Sequence, residues 1–319
     1  MRISVTDRCN ERCLYCQPHG PFELLRRQEI LSYEEILRVV RTAVGLGIVK
    51  YRVTGGEPLV RQGIVEFLRE LCRTPGVQDV GLSTNATRFA PIASEVRRFG
   101  VSKVNISLDT LRAGRYKAIT GGLLKDVLAG VETAVAAGFP QVKLNCVLMK
   151  NKNDDEVFDL IEYARQQDVA LRFIELMPVS STDVLTEENF LPVETVKRWI
   201  RDRLGLEPLS GYRGNGPAEY FTIPSLKTRS GGAIKLGFIG AMSNLHFCET
   251  CNKLRLTPDG KLRPCLGHHD EYDLKDVLRS GADDAELRRV FELTIARKPP
   301  QHEFRENYQP GRRMVAIGG

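Results

Sequence analysis

The stretch "RISVTDRCNERCLYC", Arg2 to Cys16, decides how the rest of the chain is read. Its opening, "RISVT", reads as a strand over Arg2 to Thr6. The loop that follows places Cys9, Cys13 and Cys16 within eight residues. Three thiolates are one short of a closed tetrahedral metal site. A strand that runs directly into such a loop raises two questions: what sheet the strand belongs to, and which metal centre needs three thiolates with one position free.

The sheet follows from the pattern downstream. A helix is expected over Tyr33 to Leu46, where Ile36, Val39, Val40 and Ala43 recur at helical spacing and Ser32 with Glu35 forms a capping box. Strands at Val49 to Thr54, Asp79 to Thr84, Lys103 to Leu108, Gln141 to Met149 and Ala170 to Met177 alternate with helices over Val60 to Cys72, Ile92 to Phe99, the stretch up to Ala137, and Asp154 to Gln167. In the last of these helices "NDD" is read as the cap signal. Six β-then-α units predict an α/β fold, with right-handed crossovers curling a parallel sheet into a full or partial barrel. Functional groups then belong at the carboxyl ends of the strands. Small and polar residues gather there: "TGGEP" at Thr54 to Pro58, "STN" at Ser83 to Asn85, "SLD" at Ser107 to Asp109 and "ELMP" at Glu175 to Pro178.

Beyond about residue 180 the pattern changes. A helix at "PVETVKRWIRDRL" is followed by Gly/Pro-rich stretches, the strand "AIKLGFIG", and a hairpin in "KLRLTPDGKLRPCL" turning at Asp259-Gly260. Two helices, near Leu274 to Arg279 and Asp284 to Ala296, come last. This divides the chain into residues 1–180, a partial barrel, and residues 181–319, a C-terminal domain.

The 319 residues carry 42% hydrophobic and 27% charged side chains, an ordinary balance for a globular protein. The start has no apolar signal segment, and no apolar run approaches the ~18 residues of a membrane span, so a cytoplasmic protein is expected. The formal charge of +6 contains no block of like charges, which speaks against a nucleic-acid tail and leaves room for an anionic ligand such as a phosphate ester. Without a secretion signal, disulfides among the eight cysteines are not expected. Cys72 and Cys146 stand alone in apolar surroundings and read as buried structural thiols. The other six form two triplets, Cys9/Cys13/Cys16 and Cys248/Cys251/Cys265.

Zinc is the competing reading for both triplets. For the first, the nearest fourth ligand is His19; for the second, His246, His268 and His269 are near in sequence. An iron–sulfur cluster fits the first triplet better, because three closely spaced cysteines can hold three corners of a four-iron cubane and leave the fourth iron for a small molecule. No G-x-x-x-x-G-K-[ST] loop is present, so a phosphorylated ligand would rely on basic side chains.

C-x3-C-x2-C after the first strand of a β/α repeat, with "TGGEP" after the second, resembles the radical S-adenosylmethionine enzymes. The whole chain, Arg2 to Gly319, resembles the GTP 3′,8-cyclases of molybdenum cofactor biosynthesis (the MoaA family). "RISVTDRCNERCLYC", "YRVTGGEPLVR", "GLSTN", "VNISLD", "RFIELMP", "CETCNKLRLTPDGKLRPCL" and the terminal "IGG" carry the likeness. The resemblance implies an incomplete (β/α)6 barrel with a C-terminal iron–sulfur domain. It implies a first [4Fe-4S] cluster on Cys9, Cys13 and Cys16 that reduces S-adenosylmethionine, and a second on Cys248, Cys251 and Cys265 that faces the guanine of GTP. Tyr15, Gly56, Ser107 and Met177 match positions that contact S-adenosylmethionine. Arg2, Arg52, Ser83, Lys143, Lys253 and Arg255 match positions that contact GTP. Arg2 and Arg52 sit in otherwise apolar strands, where an anionic ligand would relieve a costly burial of charge. In the family the Gly318-Gly319 tail reaches the active site, so these glycines, with Arg2, Lys253 and Arg255, are the expected catalytic set.

The implied reaction is conversion of GTP to 3′,8-cyclo-7,8-dihydroguanosine 5′-triphosphate, with cyclic pyranopterin monophosphate synthase taking the product, a flavodoxin- or ferredoxin-type electron donor and a possible homodimer. Three residues depart from the family pattern: Lys253 replaces an arginine, Gln17 stands where methionine is common, and Ala86 where glycine is common. The resemblance implies a longer N-terminal lead in relatives, so the expectation here is a start that is either trimmed or differently assigned. Two rival readings remain at this point. One is another radical enzyme with an auxiliary cluster, of the peptide-maturase type; the other is a zinc-bound structural module.

Overall fold

The capping box predicted for the first helix forms: the Ser32 hydroxyl accepts from Glu35 N at 3.2 Å and the Glu35 carboxylate accepts from Ser32 N at 2.7 Å. Helix α1 (Tyr33–Gly45) therefore starts where the sequence places it and buries Ile36, Val39, Val40 and Ala43. This computed structural model describes residues 1–17, 23–180, 184–212, 216–306 and 308–318. His19 and Gly319, both singled out above, lie outside the described residues.

The β/α alternation is as expected through residue 175. Strands β1 (Arg2–Ser4), β2 (Lys50–Thr54), β3 (Asp79–Thr84), β4 (Val101–Ser107), β5 (Gln141–Leu148) and β6 (Ala170–Glu175) pair in order, each parallel to the next. Between them run α2 (Ile64–Arg73), α3 (Ala93–Arg98), α4 (Ala113–Thr120), α5 (Leu124–Ala136) and α6 (Val157–Gln167). Two helix starts differ from the periodicity. The turns Pro58–Val60 and Asp154–Glu156 are 3-10, and the α-helices begin only after them. Asn153 is not the cap that "NDD" suggests. Its side chain is fully buried and donates to Asp109 O (2.9 Å) and Val147 O (2.8 Å), tying β5 to the end of β4.

The parallel sheet does not stop at six strands. After α7 (Val193–Leu204) and the short β7 (Glu207–Pro208), β8 (Glu219–Thr222) leads antiparallel into β9 (Leu236–Ile239), which pairs parallel with β6. At the other edge β10 (Arg255–Leu256) pairs parallel with β1, followed by the antiparallel β11 (Lys261–Arg263) and β12 (Tyr272–Asp273). The order is β12-β11-β10-β1-β2-β3-β4-β5-β6-β9-β8-β7, and the sheet is open. Strands from the C-terminal part thus extend both edges of the sheet built by the N-terminal part. Helices α8 (Lys275–Arg279) and α9 (Asp284–Ala296) follow, and Arg38 of α1 reaches Asp284 of α9 at 2.9 Å.

Alternation along the strands separates two faces. Val53, Leu82, Val104, Ile106, Leu144, Leu171 and Phe173 pack toward the helices in the main core. The opposite, concave face carries Arg2, Arg52, Gly81, Lys103, Asn105, Lys143, Asn145 and Arg172, joined by the registers Arg2↔Arg52, Arg52↔Gly81, Gly81↔Lys103, Asn105↔Lys143 and Asn145↔Arg172.

Candidate active site

The loop leaving β1 is held to the barrel rim by its own backbone. Arg12 N donates to Thr120 O (2.7 Å) and Leu14 N to Ile119 O (2.9 Å). The Asn10 side chain bridges to Asn85 (3.0 Å) and Thr87 (2.8 Å) at the end of β3. Gln17 closes the loop by donating to Glu11 O at 3.0 Å. Gly55 and Gly56 continue the β1–β2 pairing beside this loop: Gly56 N donates to Thr6 O (2.7 Å) and Glu57 N to Arg8 O (2.8 Å). A side chain at 56 would place its Cβ 2.3 Å from the Arg8 carbonyl oxygen. The glycine is thus required by the loop's own packing, whatever else approaches it.

Cys9, Cys13 and Cys16 are partly buried on this loop. Burial pushes Cys9 and Cys16 up to about 12 and Cys13 well above its ordinary value. A lesser cause at Cys13 and Cys16 is repulsion from the neighbouring thiols, so the three converge on one space. Three thiols gathered where each thiolate is disfavoured fit a cationic centre that would stabilise all of them at once. The donor set suits an iron–sulfur cluster. Among the described residues, no group of three His, Cys, Asp or Glu side chains is placed to hold a single metal ion. The histidines near the second triplet have other partners: His246 with Glu249 (2.6 Å), His268 with Asp270 and Glu303 (3.2 and 3.1 Å), and His269 stacked on Tyr308.

Of the four positions matched to S-adenosylmethionine, Tyr15 is on this loop and Gly56 packs against it. The Tyr15 hydroxyl donates to Asp109 Oδ2 at 2.8 Å, and Asp109 Oδ1 accepts from Val147 N at 2.8 Å. Ser107 is the last residue of β4. Met177 packs into an apolar cluster with Val179, Ala241, Phe304 and Tyr308. A cavity of about 530 Å³ beside Cys9 is lined by Arg8, Asn10, Glu11, Arg12 and Gln17, and by none of those four.

Below the rim the concave face is strongly cationic. Burial lowers Arg2 to about 10, Arg52 to about 9 and Lys143 to about 7; repulsion from Arg172 is the second cause in all three. Arg172 is itself pushed down by burial. Such shifts mark cations that face one another away from water. Arg52 donates to Leu82 O at 3.1 Å, and an added Cβ at Gly81 would lie 2.8 Å from its guanidinium, so that glycine makes room for it. Arg172 is aimed by Asn145, whose oxygen accepts from its Nε at 2.8 Å, and Gly237 makes room for its stem. Asp79, on the neighbouring strand, is engaged by Lys103 at 2.5 Å.

The second triplet borders the same space at the β10 edge. Cys251 N donates to Cys248 O at 3.0 Å, and the thiol of Cys251 acts electrostatically on Arg2, Lys253 and Arg255. Lys253 is lowered to about 8 and Arg255 well below its usual range, by burial first and Arg2 second. The tail enters here. Gly318, at φ +84°, leaves its Cβ position 2.7 Å from Thr54 Cγ2 and 3.0 Å from Ser4 Cβ, and its carbonyl accepts from Arg255.

The structure therefore brings together Arg2, Arg52, Lys143, Lys253 and Arg255, with Gly318 beside Arg255. Ser83 lies on the same concave face, in register with Asn105. Sequence reasoning missed Arg172 and Glu57. Arg172, in "RFIELMP", has the same signal as Arg52, a lone arginine in an apolar strand. Glu57 is 1% exposed and accepts from Leu59 N (3.0 Å), Thr84 Oγ1 (2.7 Å) and Asn85 N (2.7 Å), locking the glycine turn to the end of β3.

Residues 3–164 match the model of the radical SAM superfamily and residues 169–304 that of Molybdenum Cofactor Synthesis C. The chain is 43% identical to a GTP 3′,8-cyclase of Moorella thermoacetica and 44% identical to those of Heliobacterium modesticaldum and Thermodesulfovibrio yellowstonii, covering all of this chain and 97% of each relative. Among solved structures, Streptococcus suis SuiB bound to S-adenosylmethionine aligns with a TM-score of 0.59 at 14% identity, over 90% of this chain and 67% of that one. SuiB bound to its precursor peptide SuiA aligns at 0.60 and 14%, over 96% and 74%. At that identity these two speak for the fold alone. Identity over the full length, with both family models in sequence order, places this chain in the GTP 3′,8-cyclase family of radical S-adenosylmethionine enzymes.

Proposed function

We propose that the protein converts GTP to (8S)-3′,8-cyclo-7,8-dihydroguanosine 5′-triphosphate, the first step of molybdenum cofactor biosynthesis. The observation that carries this reading is the buried cationic face. Arg2, Arg52, Lys143 and Arg172 converge inside the barrel below a three-cysteine rim, and a polyanion is the ligand that relieves their mutual repulsion. Cys9, Cys13 and Cys16 would hold a four-iron cluster, which would supply the electron for reductive cleavage of S-adenosylmethionine and so the radical chemistry at the 3′ carbon of GTP.

The chain's own residues hold the reactants in place. Asp109 fixes Tyr15 beside the cysteine loop, and Glu57 fixes the turn carrying Gly56. Arg52, Lys143 and Arg172 bind the triphosphate from three strands. Lys253 and Arg255 stand beside Cys248, Cys251 and Cys265, which would hold a second cluster against the purine. Gly318 closes the space between Ser4 and Thr54. Exclusion of water by this arrangement protects a radical from side reactions. The product acceptor would be cyclic pyranopterin monophosphate synthase, and the electron donor a small flavodoxin- or ferredoxin-type protein.

Anaerobic reconstitution with iron and sulfide should give a brown protein with about eight irons if both triplets carry cubanes, and about four if only the first does. With reductant, S-adenosylmethionine and GTP it should release 5′-deoxyadenosine and the cyclised triphosphate. Loaded protein that forms neither refutes the assignment.

A further inference from the structure

Among the described residues, the stretch of concave face formed by β3, β4 and β5 holds one buried side-chain atom with no hydrogen-bond partner. Asn105, on β4, is 5% exposed, and its carboxamide oxygen accepts no hydrogen bond from the described residues. It sits in register between Ser83 on β3 and Lys143 on β5, and neither side chain reaches that oxygen. A buried amide oxygen left unpaired is disfavoured, so natural interiors keep few, and a donor from outside the chain is one way such an atom is satisfied. Along β4 the inward residues are Lys103, Asn105 and Ser107, about 7 Å apart at each step. Lys103 is already engaged by Asp79. Asn105 therefore lies one step below the rim at Ser107 and beside Lys143, between the level read for S-adenosylmethionine and the cations read for the triphosphate.

The chemistry of the free atom selects its ligand. A carboxamide oxygen only accepts, so it cannot bond a phosphate oxygen at pH 7. Between a triphosphate and the rim, the donor a nucleotide offers is a ribose hydroxyl. We propose that the Asn105 carboxamide accepts a hydrogen bond from a ribose hydroxyl of bound GTP and so orients the sugar whose 3′ carbon must face the rim. This makes Asn105 a specificity-determining residue that reads the sugar. The inference rests on the GTP reading above.

The test is binding rather than turnover. Reconstituted wild-type protein, Asn105→Ala and the near-isosteric Asn105→Leu are titrated calorimetrically with GTP, 2′-deoxy-GTP and 3′-deoxy-GTP. Wild type should bind GTP about tenfold more tightly than one of the two deoxy nucleotides. Both variants should lose about tenfold for GTP, bind that deoxy nucleotide as wild type does, and keep wild-type iron content and affinity for S-adenosylmethionine. Equal weakening toward all three nucleotides, unchanged GTP affinity, or a loss confined to S-adenosylmethionine overturns the proposal. Wild type that binds no GTP overturns the functional reading itself, a different result from wild type that binds GTP without discriminating.

Discussion

A lysine enclosed by arginines gives up its proton more readily than one in water. Lys143 is lowered to about 7 by burial first, and by Arg172 and Arg52 second. Unfolded, a lysine titrates near about 10.4. Between those values the unfolded chain binds more protons, so the stability of the nucleotide-free protein should rise as pH climbs from about 7 to about 10. GTP binding should run the other way, because a triphosphate favours the charged lysine. Its Kd should weaken above pH 7 by up to about tenfold per pH unit, until the bound lysine itself titrates. Lys143→Met should make both profiles shallower, leaving the part due to Lys253, which is lowered to about 8; a slope of Kd between pH 7 and 8 as steep as in the wild type would contradict the assignment. Arg172→Met should weaken GTP binding by about 2–3 kcal/mol, roughly 30- to 150-fold, and Arg172→Lys should recover only part of it because the planar fork is lost. Calorimetric titration measures both. Arg52 was legible in the sequence as a lone cation in an apolar strand. Arg172 carried the same mark, but only the aligned strands show that it faces Arg52 and Lys143 rather than solvent.

The turn after β2 tests how closely two elements are fitted. A Cβ at Gly56 would meet the Arg8 carbonyl at 2.3 Å, and backbone on both sides leaves little to yield. Gly56→Ala should cost about 1–3 kcal/mol by overpacking and should lower the iron bound on reconstitution, since the cysteine loop must shift. Gly45, in the last turn of α1, has no heavy atom within 4 Å of its Cβ position. Gly45→Ala should therefore stabilise by about 0.5–1 kcal/mol, a control measured in the same melts. If both variants melt alike, the close packing of the glycine turn on the loop is refuted. The α1 start was readable because a capping box is local chemistry. The true beginnings of α2 and α6 were not, because each is preceded by a 3-10 turn with a carboxylate, at or just before it, spent on the segment at the end of a neighbouring strand: Glu57 on Thr84 and Asn85, Glu156 on Thr110 (2.5 Å) and Leu111 N (2.7 Å).

At the scale of the whole molecule, the C-terminal tail is drawn back to the barrel by charge. Arg312 donates to both oxygens of Asp259 (3.0 and 2.9 Å) in the β10–β11 turn and lies 2.5 Å from Glu271. Met314 N donates to the Ser180 hydroxyl at 3.2 Å, which itself donates to Cys16 O at 2.5 Å, so Ser180 links the tail to the cysteine loop. Arg312→Met should free the tail, raising the rate at which a carboxypeptidase removes it while the melting temperature falls by only a few degrees. An unchanged release rate would mean that Gly318 is held by its own packing on Ser4 and Thr54 alone. No helix of the described residues is long and apolar enough to cross a membrane. The sequence by itself determined the β/α alternation, the two cysteine triplets and the residue types a cluster and a polyanion require, because periodicity and spacing are properties of neighbouring residues. Tertiary structure alone decided that β9 and β10, from the far end of the chain, complete the sheet on opposite edges. It also decided that arginines from separate strands share one dry space, and that Asn105 is left without a partner. Those facts arise from registers between strands distant in sequence, and no local pattern encodes which of two faces a distant strand will share.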